Sequence, residues 1–93
     1  MENKVIYDAA NIFNALGDET RLQIMHSIMD EPKTVTEIVS NTNVSQSCVS
    51  HQLKFLKELR LVKSERNGRC IYYSFNDDHI IDIITKAFEH VKE

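Results

Sequence analysis

The chain has 93 residues, which suits one domain with one modest hydrophobic core and makes association between chains a useful source of buried surface. A hydrophobic content of 42% and a charged content of 27%, with one Pro and two Gly, exclude a disordered or linker sequence. The apolar runs are too short for a transmembrane helix, no signal peptide is evident, and two Cys make no disulfide framework. We therefore expect a cytoplasmic protein that forms a homodimer and has no membrane partner.

The net charge of -3 hides a basic segment near the middle of the chain. Its acidic residues are Glu58 and Glu65, and its six cations are Lys54, Lys57, Arg60, Lys63, Arg66 and Arg69. Because local charge sets the interaction with a phosphate backbone, this segment favours a nucleic-acid partner. The alternative is a basic surface that only faces solvent.

The first half of the chain has the apolar spacing of helices. Residues 3–16 repeat apolar side chains at helical period and are followed by Gly17, a typical C-terminal cap. Asp18 then begins a second helix that ends before Pro32.

Two further helices form a predicted helix-turn-helix over residues 34–59. Thr34 and Glu37 have the spacing of a capping box, and Ser45 is a predicted N-cap after a short turn. The second helix has an apolar face and an opposite face suited to the DNA major groove, with short polar groups first and cations further along. The apolar face is Val49, Leu53, Leu56 and Leu59, and the candidate DNA-binding residues are Gln46, Ser47, Ser50, His51, Lys54 and Lys57.

A change to period two predicts a β-hairpin over residues 61–75. Its strands, 61–66 and 70–75, flank Asn67-Gly68, a strong hairpin signal. A basic hairpin after a DNA-reading helix is typical of a wing, and Arg66 and Arg69 at its tip could reach phosphates. The strands would also cover the core.

The last helix, predicted from Asp77 to Glu93, has more apolar residues than one packing face requires, which indicates a second helix as partner. We assign residues 3–16 and 77–92 to dimerisation. The predicted fold is mainly α with a small β-hairpin, a single winged helix-turn-helix domain over residues 1–93 with four helices, two strands and a fifth helix.

Three segments resemble the ArsR/SmtB family of bacterial metal-sensing repressors, and within it the zinc and cobalt sensors of the CzrA and SmtB type. These are ALGDETRLQI at residues 15–24, VSQSCVSHQL at 44–53, and the Asn-Gly hairpin. The resemblance implies a dimeric repressor that binds double-stranded operator DNA without metal and releases it with metal. It also implies that Gln46, Ser47, Ser50 and His51 face the bases, with Val35 nearby.

The inducer site is expected at the two ends of the last helix. His79 and His90 are eleven residues apart, so they share a face but differ by about 16 Å in rise, far beyond a metal-ligand bond. Two antiparallel helices would bring Asp77 and His79 of one chain to His90 and Glu93 of the other. All four match the metal motif of the zinc-sensing branch. Two imidazoles and two carboxylates suit zinc, with cobalt or nickel as alternatives, and the resemblance places an acceptor for His90 near Arg60.

Other functions remain open. A redox or reactive-sulfur sensor of the same fold would use Cys48 and Cys70, and a DNA-binding protein could act without metal. An enzyme is not expected, because no nucleophile with a paired base and no Gly-rich phosphate loop is evident, and we expect no small organic substrate.

Overall fold

The computed structural model describes residues 2–93, and Met1, which falls within the predicted domain, lies outside them. Five helices and one hairpin follow in the predicted order, which confirms the fold class. The elements are α1 (Asn3–Leu16), α2 (Glu19–Ser27), α3 (Val35–Asn41), α4 (Gln46–Glu58), β1 (Val62–Asn67), β2 (Cys70–Phe75) and α5 (Asp78–Val91).

Side-chain caps set where four helices begin. Asp18 accepts a hydrogen bond from the Arg21 amide, Ser45 from Cys48, and Asp77 from His79. Thr34 and Glu37 form the predicted capping box, each side chain accepting from the other residue's amide. Each cap satisfies an amide that has no partner within its own helix. Gly17 ends α1 as predicted, although with a φ of -83°, outside the left-handed region.

All five helices and both strands contribute to one core. Ile24, Met25, Ile38, Val49 and Leu56 are inaccessible to solvent, and Ile80 and Ile84 pack one face of α5 onto them. Leu59, predicted for the buried face of α4, is only half-buried against this core.

The hairpin turn lies one residue later than predicted. Asn67 pairs with Cys70, so it belongs to β1 and the connecting residues are Gly68 and Arg69. Gly68 has a φ of +67°, which glycine adopts without steric penalty. A positive φ at the first of two loop residues is the requirement of a II′ turn, in which Asn67 retains its strand conformation.

A contact that sequence reasoning missed holds the hairpin to the helical body. Lys33, between α2 and α3, exchanges backbone hydrogen bonds with Tyr73 of β2 at 3.0 and 2.8 Å. The Lys33 side chain is buried, and its ammonium donates to the Ser27 carbonyl at 2.9 Å and to Asp30 at 2.8 Å. The hydrogen bond from Lys33 lowers the pKa of the Asp30 carboxyl. One end of the wing is therefore anchored to the loop that leads into the helix-turn-helix.

Candidate functional site

The face of α4 opposite the core is a row of exposed polar side chains. Val49, Leu53 and Leu56 are at most 1% exposed, and they fix this helix against the body. The predicted DNA-binding residues on α4 are all exposed: Gln46, Ser47, Ser50, His51, Lys54 and Lys57. The structure therefore brings these six residues to one accessible surface.

Val35 differs from the other predicted DNA-binding residues. It is the first residue of α3, is half-buried, and packs against the core. α3 ends at Asn41, and residues 42–45 connect it to α4. This is the short connection expected within a helix-turn-helix.

The end of α4 is closed by a left-handed residue that is not glycine. The Arg60 amide donates to the Lys57 carbonyl at 3.0 Å, and the Leu61 amide donates to the Leu56 carbonyl at 3.0 Å. These two bonds, with an Arg60 φ of 62°, form a Schellman motif. Leu56 and Leu61 are both buried, which supplies the hydrophobic contact that accompanies this motif. The motif turns the chain directly from α4 into the wing.

The wing also contacts α4, the recognition helix of the helix-turn-helix, through a polar side chain. The Lys57 ammonium donates to the Ser64 hydroxyl of β1 at 2.7 Å. Arg66 and Arg69 are exposed, Arg66 near the end of β1 and Arg69 in the turn. Lys57 therefore lies at the junction of α4 and the wing, while the two arginines lie at the tip.

Asn76 joins the start of α5 to the end of α4. Its side-chain amide donates to the Arg60 carbonyl at 2.5 Å, and its backbone amide donates to the Leu61 carbonyl at 3.2 Å. Sequence reasoning missed this role, although an Asn directly before a helix N-cap is a residue type that often bonds nearby backbone. The acceptor is 16 residues away, and local pattern does not identify such a partner.

The four predicted metal ligands lie at opposite ends of α5. The Asp77 carboxylate accepts from the His79 amide at 2.9 Å and lies 3.2 Å from Nδ1 of His79. His90 and Glu93 are exposed at the other end, where the Glu93 amide donates to the His90 carbonyl at 3.3 Å. Within residues 2–93 of one protomer, no three His, Cys, Asp or Glu side chains are grouped as a metal site would require. The structure thus brings together Asp77 with His79 but not the full set of four.

Apolar side chains remain exposed on the two predicted dimerisation helices. On α1 they are Val5, Ile6, Tyr7 and Phe13, and on α5 they are Ile83 and Val91. Val91 is 80% exposed and Tyr7 is 68% exposed, so neither is covered by its own domain. An exposed apolar surface of this kind is typical of a protein interface.

The two cysteines are free and lie on different elements. Cys48 is half-buried in the first turn of α4, and Cys70 is exposed at the start of β2. No helix within residues 2–93 has both the length and the apolar content that a membrane crossing requires.

A helix-turn-helix followed by a basic two-stranded wing defines a winged helix-turn-helix DNA-binding protein. The model of the arsR family of bacterial regulatory proteins matches residues 18–64, slightly more than half of the chain. The chain therefore belongs to this family of bacterial regulatory proteins.

Three relatives illustrate the similarity. A transcriptional repressor SmtB homolog of Synechocystis is 38% identical over 84 residues, covering 90% of this chain and 64% of that protein. A cadmium resistance regulator, the CadC homolog of Staphylococcus aureus, is 34% identical over 92% of this chain and 72% of its own length. The solution structure of apo-NmtR superimposes with a TM-score of 0.84 at 33% identity, over 99% of this chain and 77% of that one. The chain thus spans just under two thirds of the first of these relatives.

Proposed function

We propose that this regulator is a homodimeric repressor that binds operator DNA without metal and releases it when zinc binds between the two α5 helices. Cobalt and nickel are the alternative inducers. The observation that carries the proposal is the placement of four exposed nitrogen and oxygen donors, one pair at each end of α5. Two antiparallel copies of this helix would bring unlike pairs together.

DNA binding is assigned to α4 and the wing. Gln46, Ser47, Ser50 and His51 would contact base edges, because they form the exposed N-terminal part of a helix held against the core by its other face. Phosphates would be contacted by the cations Lys54, Lys57, Arg66 and Arg69. Half-buried Val35, at the start of α3, would lie near the DNA. The similarity to a transcriptional repressor supports repression as the outcome.

The metal set would consist of Asp77 and His79 from one protomer and His90 and Glu93 from the other. The donor chemistry fits zinc or cobalt, which accept imidazole and carboxylate in tetrahedral geometry. The CadC homolog is named for cadmium resistance, yet α3 of this chain, which with its cap reads TVTEIVSN, has no thiolate to offer a soft metal. Bound zinc would supply a cross-link between the ends of the two α5 helices.

The route from metal to DNA would begin at the first turn of α5. Asp77 follows Asn76, whose side chain holds the Arg60 carbonyl at the end of α4. A carbonyl oxygen has two lone pairs, so the Arg60 carbonyl could accept a second bond, from the partner's His90, when that imidazole is fixed by metal. Ligation would thereby set the angle between α5 and the DNA-reading helix.

Mixed dimers test whether the site is shared between protomers. A His79→Ala chain and a His90→Ala chain each lack an intact site as homodimers, so neither should release operator DNA on zinc addition. A dimer has two such sites. In a heterodimer of the two variants both mutations fall in one site, so the other site remains intact. Zinc titration of the heterodimer should show half of the wild-type stoichiometry and partial DNA release.

If the heterodimer binds no zinc, the site is not shared in this way and the proposal is wrong. His26→Ala is the control for loss of an imidazole outside the four donors: His26 is exposed on α2, and its ring packs edge-on against Phe88 of α5 with 5.4 Å between the ring centres. That variant should release DNA like the wild type. A Cys48→Ser/Cys70→Ser variant should also keep its zinc response, whereas loss of that response would favour a thiol sensor.

A further inference from the structure

Arg21, near the start of α2, contacts two other helices, α1 and α4. Its Nε donates to the Ala15 carbonyl at 2.9 Å, and one terminal nitrogen donates to the Asn14 carbonyl at 3.4 Å. The other terminal nitrogen lies 3.5 Å from the Gln52 side-chain oxygen. The guanidinium carbon is also 5.0 Å from the centre of the Phe55 ring. One side chain thus connects the end of α1 to the recognition helix α4.

The contacts with α1 follow from the chemistry of a helix end. Carbonyls in the last turn of a helix lack amide partners, and a cation there also interacts favourably with the helix dipole. The short link through Gly17 and Asp18 brings the start of α2 beside this end, where Arg21 donates to the Ala15 carbonyl and also to the Asn14 carbonyl, which accepts from the Gly17 amide as well.

The contacts with α4 lie outside its DNA-facing row. Gln52 is half-buried and Phe55 is 38% exposed, and both lie apart from the exposed residues assigned to bases and phosphates. A planar guanidinium can donate in several directions while its face covers an aromatic ring, and a lysine ammonium cannot reproduce this geometry. The contact is therefore specific for Arg.

We infer that Arg21 is a positioning residue, which holds the recognition helix at a fixed angle to α1. The inference rests on the proposed function, in which α1 lies in the dimer interface. Two recognition helices fit successive major grooves only when their separation matches one turn of DNA, so a link between α1 and α4 controls operator affinity. Arg21 would act through α4 without itself contacting DNA.

The experiment compares Arg21→Ala and Arg21→Lys with the wild type on duplexes that wild-type protein selects from a randomised DNA library. We expect Arg21→Ala to weaken binding about tenfold, because only a minor fraction of the dimer then has the competent helix angle. Arg21→Lys keeps the charge but should also weaken binding. The dependence of affinity on salt concentration should match the wild type, since no phosphate contact is lost.

Wild-type affinity in Arg21→Lys would overturn the inference. So would a salt slope reduced by about one in Arg21→Ala, because that change marks a direct phosphate contact. If Arg21→Ala does not fold, a Gln52→Ala/Phe55→Leu variant tests the same link, because it removes the contacts of Arg21 with α4 and leaves those with α1 in place. It should weaken operator binding as well, and unchanged binding would contradict the inference.

The two proposals can fail separately. If wild-type protein enriches no DNA sequence, the proposed function is wrong, and the link itself is then tested by thermal unfolding of the free protein. Arg21→Ala and Phe55→Leu should lower Tm together by less than the sum of their separate effects, since they remove the same contact. Additive effects would show that Arg21 does not hold α4.

Discussion

Arg60 is the one non-glycine residue within residues 2–93 that has a positive φ. Its position at the end of α4 is required by the Schellman bonds from Arg60 and Leu61, and the buried pair Leu56 and Leu61 supports it. A side chain in the left-handed region has a steric cost that glycine avoids. The cost falls at the junction of the recognition helix, the wing and Asn76.

Replacing Arg60 by Gly should therefore stabilise the folded protein. We expect the free energy of unfolding, measured by urea denaturation, to rise by about 0.5–1 kcal/mol. Arg60→Ala is the matched control, because it removes the guanidinium but keeps the Cβ, and its stability should stay within about 0.5 kcal/mol of wild type. Equal stabilisation in both variants would mean that the side chain, not the backbone, is responsible.

Residue-scale prediction from sequence succeeded where the relevant partners are close along the chain. The caps at Thr34 and Ser45 could be predicted because each side chain bonds an amide three residues away, and Asp18, predicted only as the start of α2, caps it in the same way. The roles of Arg21 and Asn76 were not predicted, because the partner of Arg21 on α4 is 31 residues away and the partner of Asn76, just after α4, is 16 residues away. Such contacts arise only after the helices have packed.

At the scale of elements, the recognition helix depends on its cap as well as on its buried face. The Ser45 hydroxyl accepts from the Cys48 amide at 3.3 Å, and Ser45 is exposed beside the residues assigned to DNA bases. The cap therefore serves folding, while a charge introduced at this position would affect the approach of a phosphate backbone.

Two substitutions at Ser45 should separate these effects. Ser45→Ala removes the cap and should lower the free energy of unfolding by about 1 kcal/mol, measured by thermal denaturation. Ser45→Asp keeps a capping acceptor and should preserve stability, yet its negative charge should weaken operator binding measured by fluorescence anisotropy. If Ser45→Asp binds DNA as tightly as the wild type, the N-terminus of α4 does not approach the DNA backbone.

The elements themselves were largely predictable, because period and turn chemistry are local properties. The boundaries of α1, α4 and β2 follow from apolar spacing and flanking caps. The predicted position of the hairpin turn was wrong by one residue. Both Asn67 and Gly68 favour turns, and only the strand pairing shows which of them belongs to the loop. The pairing of Lys33 with Tyr73 was missed, because no periodic segment surrounds Lys33.

At the scale of the whole molecule, the exposed apolar residues of α1 and α5 indicate how two copies would meet. Phe13 is 61% exposed although it lies on a helix that contributes Ala15 and Leu16 to the core. Burial of such side chains in a dimer would be favourable, and it would orient the two recognition helices together.

Phe13→Ser should shift the dimer towards monomer in sedimentation velocity while leaving the helical content unchanged, because the side chain is outside the protomer core. Operator affinity should fall with the loss of the second half-site. Ile71→Ser is a matched control, since Ile71 is 40% exposed on the wing and away from α1 and α5. If Phe13→Ser remains a dimer, this part of α1 is not in the interface.

The metal site belongs to this largest scale as well. The proximity of Asp77 and His79 follows from the helix cap, because the Asp77 carboxylate bends back to accept from the His79 amide and so lies beside that imidazole. The distance to His90 and Glu93 of a second chain depends on how two protomers pack, which the period of one sequence does not specify. Spacing predicts only that one α5 helix cannot close the set.

The most direct test of metal-controlled repression is a zinc titration of the free dimer and of the dimer bound to its selected operator. Binding at two coupled sites is reciprocal, so if zinc weakens DNA binding, DNA must weaken zinc binding by the same factor. We predict that the operator-bound dimer has a zinc affinity about 5- to 150-fold lower than the free dimer. Equal zinc affinity in the two states would contradict the proposal, because no coupling between α5 and the DNA-reading helix would then exist.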